Sequence, residues 1–179
     1  VMLANNEIGS LQPVAEIAEL LRGRGILLHS DAVQAVGHIP VDVGQLGVDA
    51  LSLSAHKFHG PKGVGALYLK TGIRVEPLLF GGGQERGLRS GTENVPGVVG
   101  LARALELAWA GREERAERLR ALRNRLVEQV LGELPDAHLT GHPELRLPGT
   151  ASFVFEGAEG ESLLLQLDRK GICVSTGSA

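Results

Sequence analysis

The sequence of 179 residues contains a single cysteine, Cys173, so no disulfide bond can form within the chain. No apolar run approaches the ~18 residues that a membrane-spanning helix requires, and no signal peptide is recognisable. We therefore expect a protein of the reducing cytoplasm that does not span a membrane.

Aromatic residues make up only 3% of the sequence, and the formal net charge is −3. This composition provides neither stacking platforms for bases nor a basic surface for phosphate backbones, which argues against nucleic acid and anionic membranes as partners. The hydrophobic content of 43% and the charged content of 22% are typical of a globular protein. The 25 glycines follow no period, so a collagen-like repeat is excluded.

The sequence also has no initiating methionine, and it opens with an apolar run at residues 1–4. We interpret this run as a short buried strand. A strand without a polar lead-in indicates a fragment of a longer protein.

Short apolar runs alternate with helical patterns, which predicts an α/β fold. The predicted strands are 1–4, 26–29, 50–53, 65–69, 150–155 and 172–174, and 65–69 is expected to pair antiparallel with 50–53. The predicted helices are 14–21, 32–36, 95–110, 112–134 and 161–169. Helix 95–110 is expected to be largely buried. The expected inward stripe of helix 112–134 is Leu119, Leu122, Leu126 and Val130. Composition changes near Gly111, which suggests a domain boundary there.

One lysine, Lys57, follows the predicted strand 50–53 and precedes a glycine-rich turn. Burial beside other cations favours a neutral amine, which can form a Schiff base. An ordinary loop lysine beside a turn fits the same residues. A metal site at His56 and His59 lacks a third ligand at suitable spacing.

Polar residues also follow the two preceding strands: Asn6 follows 1–4, and Asp31 and Gln34 follow 26–29. In α/β sheets, ligands bind beyond the carboxyl ends of the strands. Asp31 could instead cap the helix that follows it, and Asn6 could belong to a simple turn.

These residue types suit pyridoxal phosphate. Lys57 could form the Schiff base, and Asp31 could keep the pyridine nitrogen protonated. Amides such as Asn6 and Gln34 could bind the ring oxygen. The phosphate could be bound by the two residues that flank Ala55, namely Ser54 and His56.

A second unusual stretch, residues 81–94, begins with three consecutive glycines and contains Arg86, Arg89, Ser90 and Thr92. These side chains suit an anion, and the glycines permit close backbone approach. A flexible surface loop remains the alternative. The stretch is not a phosphate-binding Walker loop, because it contains no Gly-Lys-Ser/Thr.

Four motifs together resemble the cysteine desulfurase family, whose members are pyridoxal-phosphate enzymes of the aminotransferase class V fold. They are Asn-Asn-Glu-Ile-Gly at 5–9, His-Ser-Asp-Ala-Val-Gln at 29–34, Ser-Ala-His-Lys-Phe-His-Gly-Pro-Lys-Gly at 54–63 and Gly-Gly-Gly-Gln-Glu-Arg-Gly-Leu-Arg-Ser-Gly-Thr at 81–92. The resemblance implies a mainly parallel sheet with helices on both faces. Residues 1–111 would be the second half of the large cofactor-binding domain, and 112–179 the first part of a smaller α+β domain.

The resemblance also implies roles for matching residues. Lys57 would be the Schiff-base lysine and the proton carrier at the substrate α-carbon. Asp31 would pair with the pyridine nitrogen, and Gln34 and Asn6 would contact the ring hydroxyl.

At the cofactor phosphate, the resemblance implies contacts from Ser54 and His56. Thr92 would reach the phosphate bound by the other subunit of a homodimer. The implied reaction converts L-cysteine to L-alanine and passes a persulfide to an acceptor protein, such as an iron–sulfur scaffold.

The sequence departs from the family at both ends, where the upstream half, the nucleophilic cysteine and the substrate-binding arginine have no counterpart. Cys173 is not assigned as the nucleophile, because it falls in the predicted strand 172–174 and a buried cysteine is usually inert. The alternatives are a selenocysteine lyase, another class V enzyme, or a non-catalytic fragment for cofactor binding or dimerisation.

Overall fold

The computed structural model describes residues 1–177, so the last two residues of the loop 175–179 lie outside the described part. The α-helices are Val14–Leu21 (α1), Val43–Leu46 (α2), Val95–Ala110 (α3), Arg112–Glu133 (α4) and Gly160–Asp168 (α5). The strands are His29–Asp31 (β1), Ala50–Ser54 (β2), Gly65–Leu69 (β3), Ala137–Leu139 (β4) and Phe153–Phe155 (β5). Short 3₁₀ helices cover Ala55–Phe58 and Gln84–Gly87.

The first sheet has the order β1-β2-β3, with β1 parallel and β3 antiparallel to β2. Residues 1–4 extend the parallel arrangement through a single bridge between Met2 and Asp31. The predicted α/β class and the antiparallel pairing of 65–69 are confirmed. The predicted strand 1–4 is reduced to isolated bridges.

The predicted strand 26–29 is displaced to β1, and Ile26 and Leu27 are exposed. Strand β2 begins only at Ala50, which pairs with His29, so earlier residues have no neighbouring strand. The centre of β1 is instead the fully buried Ser30. The prediction from apolar content alone therefore began this strand three residues before its observed start at His29.

The predicted helix 32–36 is wrong, because residues 33–38 form hydrogen-bonded turns. Ala35 and Val36 both donate their backbone N–H to the carbonyl of Ala32. Gly37 has a φ of +82° and ends the turn, because this conformation does not continue a helix.

The predicted strand 172–174 is also wrong. Ile172 donates its N–H to the carbonyl of Leu167, near the end of α5, and residues 172–174 do not form a strand. Cys173 is exposed, contrary to the burial that we expected.

A second sheet pairs β4 with β5 in antiparallel fashion. Strand β4 is absent from our predictions, because its three residues, Ala-His-Leu, have no clear alternation. The proposed boundary between 1–111 and 112–179 stays a prediction.

Helix α3 is less buried than its composition predicts, with Val95 and Val99 each more than 60% exposed. The face that packs contains small residues, and a Cβ on Gly100 would lie 2.6 Å from Pro61. The helix can therefore approach the chain that follows β2 very closely, whereas its valines face outwards.

The expected inward stripe of α4 is also partly wrong, because Leu122 and Leu126 are exposed. The buried position between them is Arg123, which donates a hydrogen bond to the carbonyl of Leu147. The residue that packs inwards in this part of α4 is therefore an arginine and not one of the predicted leucines. Within residues 1–177, no helix is long and apolar enough to cross a membrane.

Two glycines with the same backbone conformation provide a test of packing around the turn 33–38. Gly37 and Gly63 have φ values of +82° and +81°. A Cβ on Gly37 would lie 2.8 Å from the Phe58 Cβ, whereas a Cβ on Gly63 would meet nothing within 4 Å. Gly63→Ala should cost about 1 kcal/mol from backbone strain alone, and Gly37→Ala about 2–4 kcal/mol because overlap is added. Urea unfolding of the full-length variants measures both values, and equal losses would contradict the packing.

Candidate active site at the carboxyl edge of the sheet

The candidate site centres on the short 3₁₀ helix Ala55–Phe58, which we call the lysine turn. Ala55 and Phe58 are buried, with 0% and 2% exposure, and anchor the turn in the core. Lys57 is half-buried and His56 is exposed. The two buried apolar residues therefore fix the backbone of the turn, and this sets the positions of His56 and Lys57.

Gly60 closes the lysine turn by donating its N–H to the carbonyl of Ala55 at 2.8 Å. A side chain at Gly60 would collide with Ala55 and would also lie 3.2 Å from Ala104 of α3. Glycine is therefore required here by close approach, because the turn is packed between the sheet and α3.

The side chains of Ser54 and His56 are hydrogen-bonded to each other. The Ser54 Oγ lies 2.7 Å from the His56 Nδ1. Ser54 is the last residue of β2, and His56 is two residues further on. A hydroxyl and an imidazole thus form a polar pair at the end of the strand, next to Lys57.

Asp31 is the last residue of β1, and its Oδ1 accepts a hydrogen bond from the Val33 N–H at 2.9 Å. The local capping bond that we considered for Asp31 is therefore present, on a turn rather than on a helix. The second carboxylate oxygen has no hydrogen-bond donor among residues 1–177 and is available to a ligand. Gln34 lies half-buried on the same turn.

Asn6 is exposed at the tip of a turn that Asn5 organises. The Asn5 Oδ1 accepts hydrogen bonds from the backbone N–H groups of Glu7 and Ile8, both at 2.9 Å. Because Asn5 holds the turn, the Asn6 side chain is left to contact something else.

Strand direction places these residues at one edge. Residues 1–4, β1 and β2 run parallel, so Asn6, Asp31 and the lysine turn all follow the carboxyl ends of neighbouring segments. Thr92 is different: it is exposed in the loop before α3, and within residues 1–177 no hydrogen bond joins it to the lysine turn.

One residue at this edge is absent from our sequence predictions. The His38 Nε2 lies 3.1 Å from the carbonyl oxygen of Lys57, to which it donates. Arg115 of α4 in turn donates to the carbonyls of Gly37 and Ala108, at 2.8 and 2.7 Å. The sequence contains no local signal for the contact between His38 and Lys57 or for the contact between Arg115 and Gly37, because each joins residues that lie far apart in the chain.

A cleft with a volume of about 530 Å³ lies at the opposite edge of the sheet. Its lining includes Leu28, Asp49 and Lys70, close to where β1 and β2 begin. Ligands of α/β sheets bind at the carboxyl ends. We therefore assign the candidate site to the carboxyl edge and not to this cleft.

The residues at the carboxyl edge fit pyridoxal phosphate chemically. The edge presents a lysine amine, a carboxylate with one free oxygen, and a hydroxyl–imidazole pair suited to phosphate oxygens. Among the described residues, no cluster of histidine, cysteine, aspartate or glutamate could hold a metal ion.

Comparison with known proteins identifies similar sequences and folds. The sequence model of the aminotransferase class-V family matches residues 1–179. A protein of Methanosarcina thermophila, "Cysteine desulfurase IscS", is 56% identical over 100% of this chain and 44% of its own length. A solved "NifS-like protein" is 46% identical, with a TM-score of 0.91, over 97% of this chain and 48% of its own.

A second solved structure, a NifS-like protein from Rickettsia africae, is 34% identical, with a TM-score of 0.92, over 99% of this chain and 49% of its own. The chain thus spans slightly less than half the length of these relatives. The fold expected from the resemblance is confirmed.

The hydrogen bond from His38 predicts how the position of Lys57 is maintained. His38→Leu removes the donor and should weaken binding of pyridoxal phosphate by about 3- to 10-fold, the loss expected for one hydrogen bond. His38→Gln keeps a donor and should stay within about twofold of the wild type. Absorbance titration of the full-length variants measures both, and equal losses would show that the donor is not what matters.

Proposed function

Because the chain belongs to the aminotransferase class-V family, we propose that the full-length protein is a pyridoxal-phosphate-dependent cysteine desulfurase. It would convert L-cysteine to L-alanine and transfer the sulfur, as a persulfide on a cysteine thiol, to an acceptor protein. Whole-chain similarity to curated cysteine desulfurases at 50–56% identity is the observation that carries this proposal.

Pyridoxal phosphate, when bound, withdraws electrons from the α-carbon of an amino acid substrate. Lys57 would hold this cofactor covalently through its Nζ. Once displaced by the substrate, the same Nζ would accept the proton from the α-carbon. The lysine turn supports this role because the buried Ala55 and Phe58 fix its backbone.

Asp31 would face the ring nitrogen with the carboxylate oxygen that Val33 does not use. An ionised carboxylate at this point favours the protonated ring nitrogen. Asn6 and Gln34 would donate their side-chain amides to the ring hydroxyl, since both follow strand ends at the same edge.

Ser54 and His56 would bind the phosphate, and their mutual hydrogen bond of 2.7 Å orients the pair. Thr92 would complete the phosphate site of the other subunit of a homodimer. Its exposure, without a hydrogen bond to the lysine turn, is compatible with a partner in a second copy.

The sulfur acceptor would be a protein such as an iron–sulfur scaffold. The IscS and NifS-like names of the relatives suggest this class of pathway. We place the reaction in the cytoplasm, because the single cysteine of the sequence fits a reducing compartment.

The role of Lys57 is tested against a neighbouring lysine. Lys57→Ala should abolish alanine release from cysteine, because the covalent attachment and the α-proton acceptor are both lost; a loss of at least about 10³-fold is expected. Lys62→Ala serves as the control, because Lys62 is exposed in the turn that follows. Borohydride reduction should fix the cofactor on the Lys57 peptide alone. Transamination of a keto acid in place of alanine and sulfide release would contradict the proposed reaction.

The phosphate role of Ser54 can be separated from a general effect on β2. Ser54→Ala should weaken binding of pyridoxal phosphate by about tenfold, because one donor to a charged group is lost. Binding of pyridoxal, which has no phosphate, should not change. Ser52→Ala is the matched control, because Ser52 lies two residues earlier on β2 and contacts His29 at 3.2 Å. Equal losses for both ligands would exclude a phosphate contact.

A further inference from the structure

Arg146 is a charged residue that is only 4% exposed and has no carboxylate partner among residues 1–177. Its Nε donates to the His142 carbonyl at 2.8 Å, and its Nη2 donates to the carbonyls of Ile8 and Thr140. The guanidinium therefore joins the turn 5–9, near the start of the chain, to residues 140–142.

Backbone contacts reinforce the same junction. Residues 4–11 form a hairpin-like segment in which Ala4 pairs with Leu11 and the Asn5 N–H donates to Ser10. The second half of this segment also contacts residues 145–147. Ser10 forms an antiparallel bridge with Arg146, and the Leu147 N–H donates to the Gly9 carbonyl at 2.8 Å. The segment that contains the Asn6 turn is thus joined to residues 145–147 by backbone hydrogen bonds, as in two paired strands.

The burial of Arg146 is costly, which indicates a specific use. Desolvation lowers the pKa of Arg146, and the nearby Arg123 guanidinium lowers it further. One nitrogen, Nη1, is buried without a hydrogen-bond partner. The guanidinium has five N–H donors in a fixed planar fork and reaches the carbonyls of His142, Ile8 and Thr140 from one side chain, whereas a lysine ammonium is a more compact group with three donors.

We propose that Arg146 is a positioning residue for Asn6. By holding the carbonyl of Ile8, it fixes the turn 5–9 and so places the Asn6 amide at the carboxyl edge of the sheet. The clamp itself rests on contacts within this chain. Its consequence for the cofactor ring rests on the proposed function.

The chain offers a matched control for this clamp. Arg123 is also a buried arginine, at 9% exposure, and it donates to the carbonyl of Leu147 at 3.1 Å. It makes no hydrogen bond to the turn 5–9. Arg123→Met therefore also removes a buried arginine, but it leaves the donor to the Ile8 carbonyl in place and reaches the turn only through Leu147, whose N–H donates to Gly9.

Hydrogen exchange of the full-length protein without cofactor tests the clamp directly. In Arg146→Met, the Glu7 and Ile8 amides should exchange about tenfold faster than in the wild type, because local opening of the turn becomes easier. In Arg123→Met, these two amides should stay close to the wild type. Unchanged exchange at Glu7 and Ile8 in Arg146→Met would overturn the proposal.

A second variant covers the case in which Arg146→Met fails to fold. A Cβ on Gly141, whose φ is +73°, would lie 2.6 Å from the Ser10 Oγ and 3.0 Å from both the Arg146 Nη2 and the Ile8 carbonyl oxygen. Gly141→Ala therefore strains the junction that contains the contact between Arg146 and Ile8 while keeping the arginine, and the turn amides should again exchange faster. Protection equal to the wild type would overturn the proposal.

Coupling to Asn6 tests the functional consequence. Arg146→Lys and Asn6→Ala should each weaken binding of pyridoxal phosphate by about 3- to 10-fold, and the double variant should be no weaker than Asn6→Ala alone. Additive losses would show that Arg146 does not act through Asn6. A wild-type protein that fails to bind the cofactor would overturn the proposed function, whereas the exchange result on the turn 5–9 would still decide the clamp.

Discussion

The parallel register of β1 and β2 is the constraint on which the candidate site depends. It pairs Asp31 with Ser52, so the carboxyl ends of the two strands lie at one edge, and the single bridge from Met2 adds a third segment in the same direction. Asn6, Asp31 and Lys57, which are 25 and 26 positions apart in sequence, therefore follow strand ends at the same edge without any direct bond between them. A shift of the register by one residue would reverse which side chains face the core.

Close packing then holds the lysine turn at that edge. Gly37 and Gly60 have no side chain, which allows the turn to contact both the sheet and α3. Buried Ala55 and Phe58 fix its inner side, and His38 holds the carbonyl of Lys57. The backbone that carries Lys57 is thus held by packing and by a hydrogen bond, as preorganised sites require.

The sequence predicts the residues that could carry the chemistry better than it predicts the contacts that hold them in position. Lys57, Asp31 and the pair formed by Ser54 and His56 can be recognised because they follow apolar runs in short motifs. The His38 contact, the position of Arg123 on α4 and the hydrogen bond from Arg146 to Ile8 cannot, because each depends on a partner at least 19 residues away. Leucine spacing predicted the inward face of α4 only in part, since Leu122 and Leu126 are exposed while Arg123 is buried and donates to a carbonyl.

The partners of Arg146 are carbonyl groups, and this has a consequence for how the molecule responds to acid. A carbonyl acceptor does not titrate, and a guanidinium stays charged throughout the ordinary pH range. Salt also screens a buried contact only weakly. The contact between Arg146 and the turn 5–9 therefore uses no carboxylate and does not depend on the ionisation of an acidic side chain.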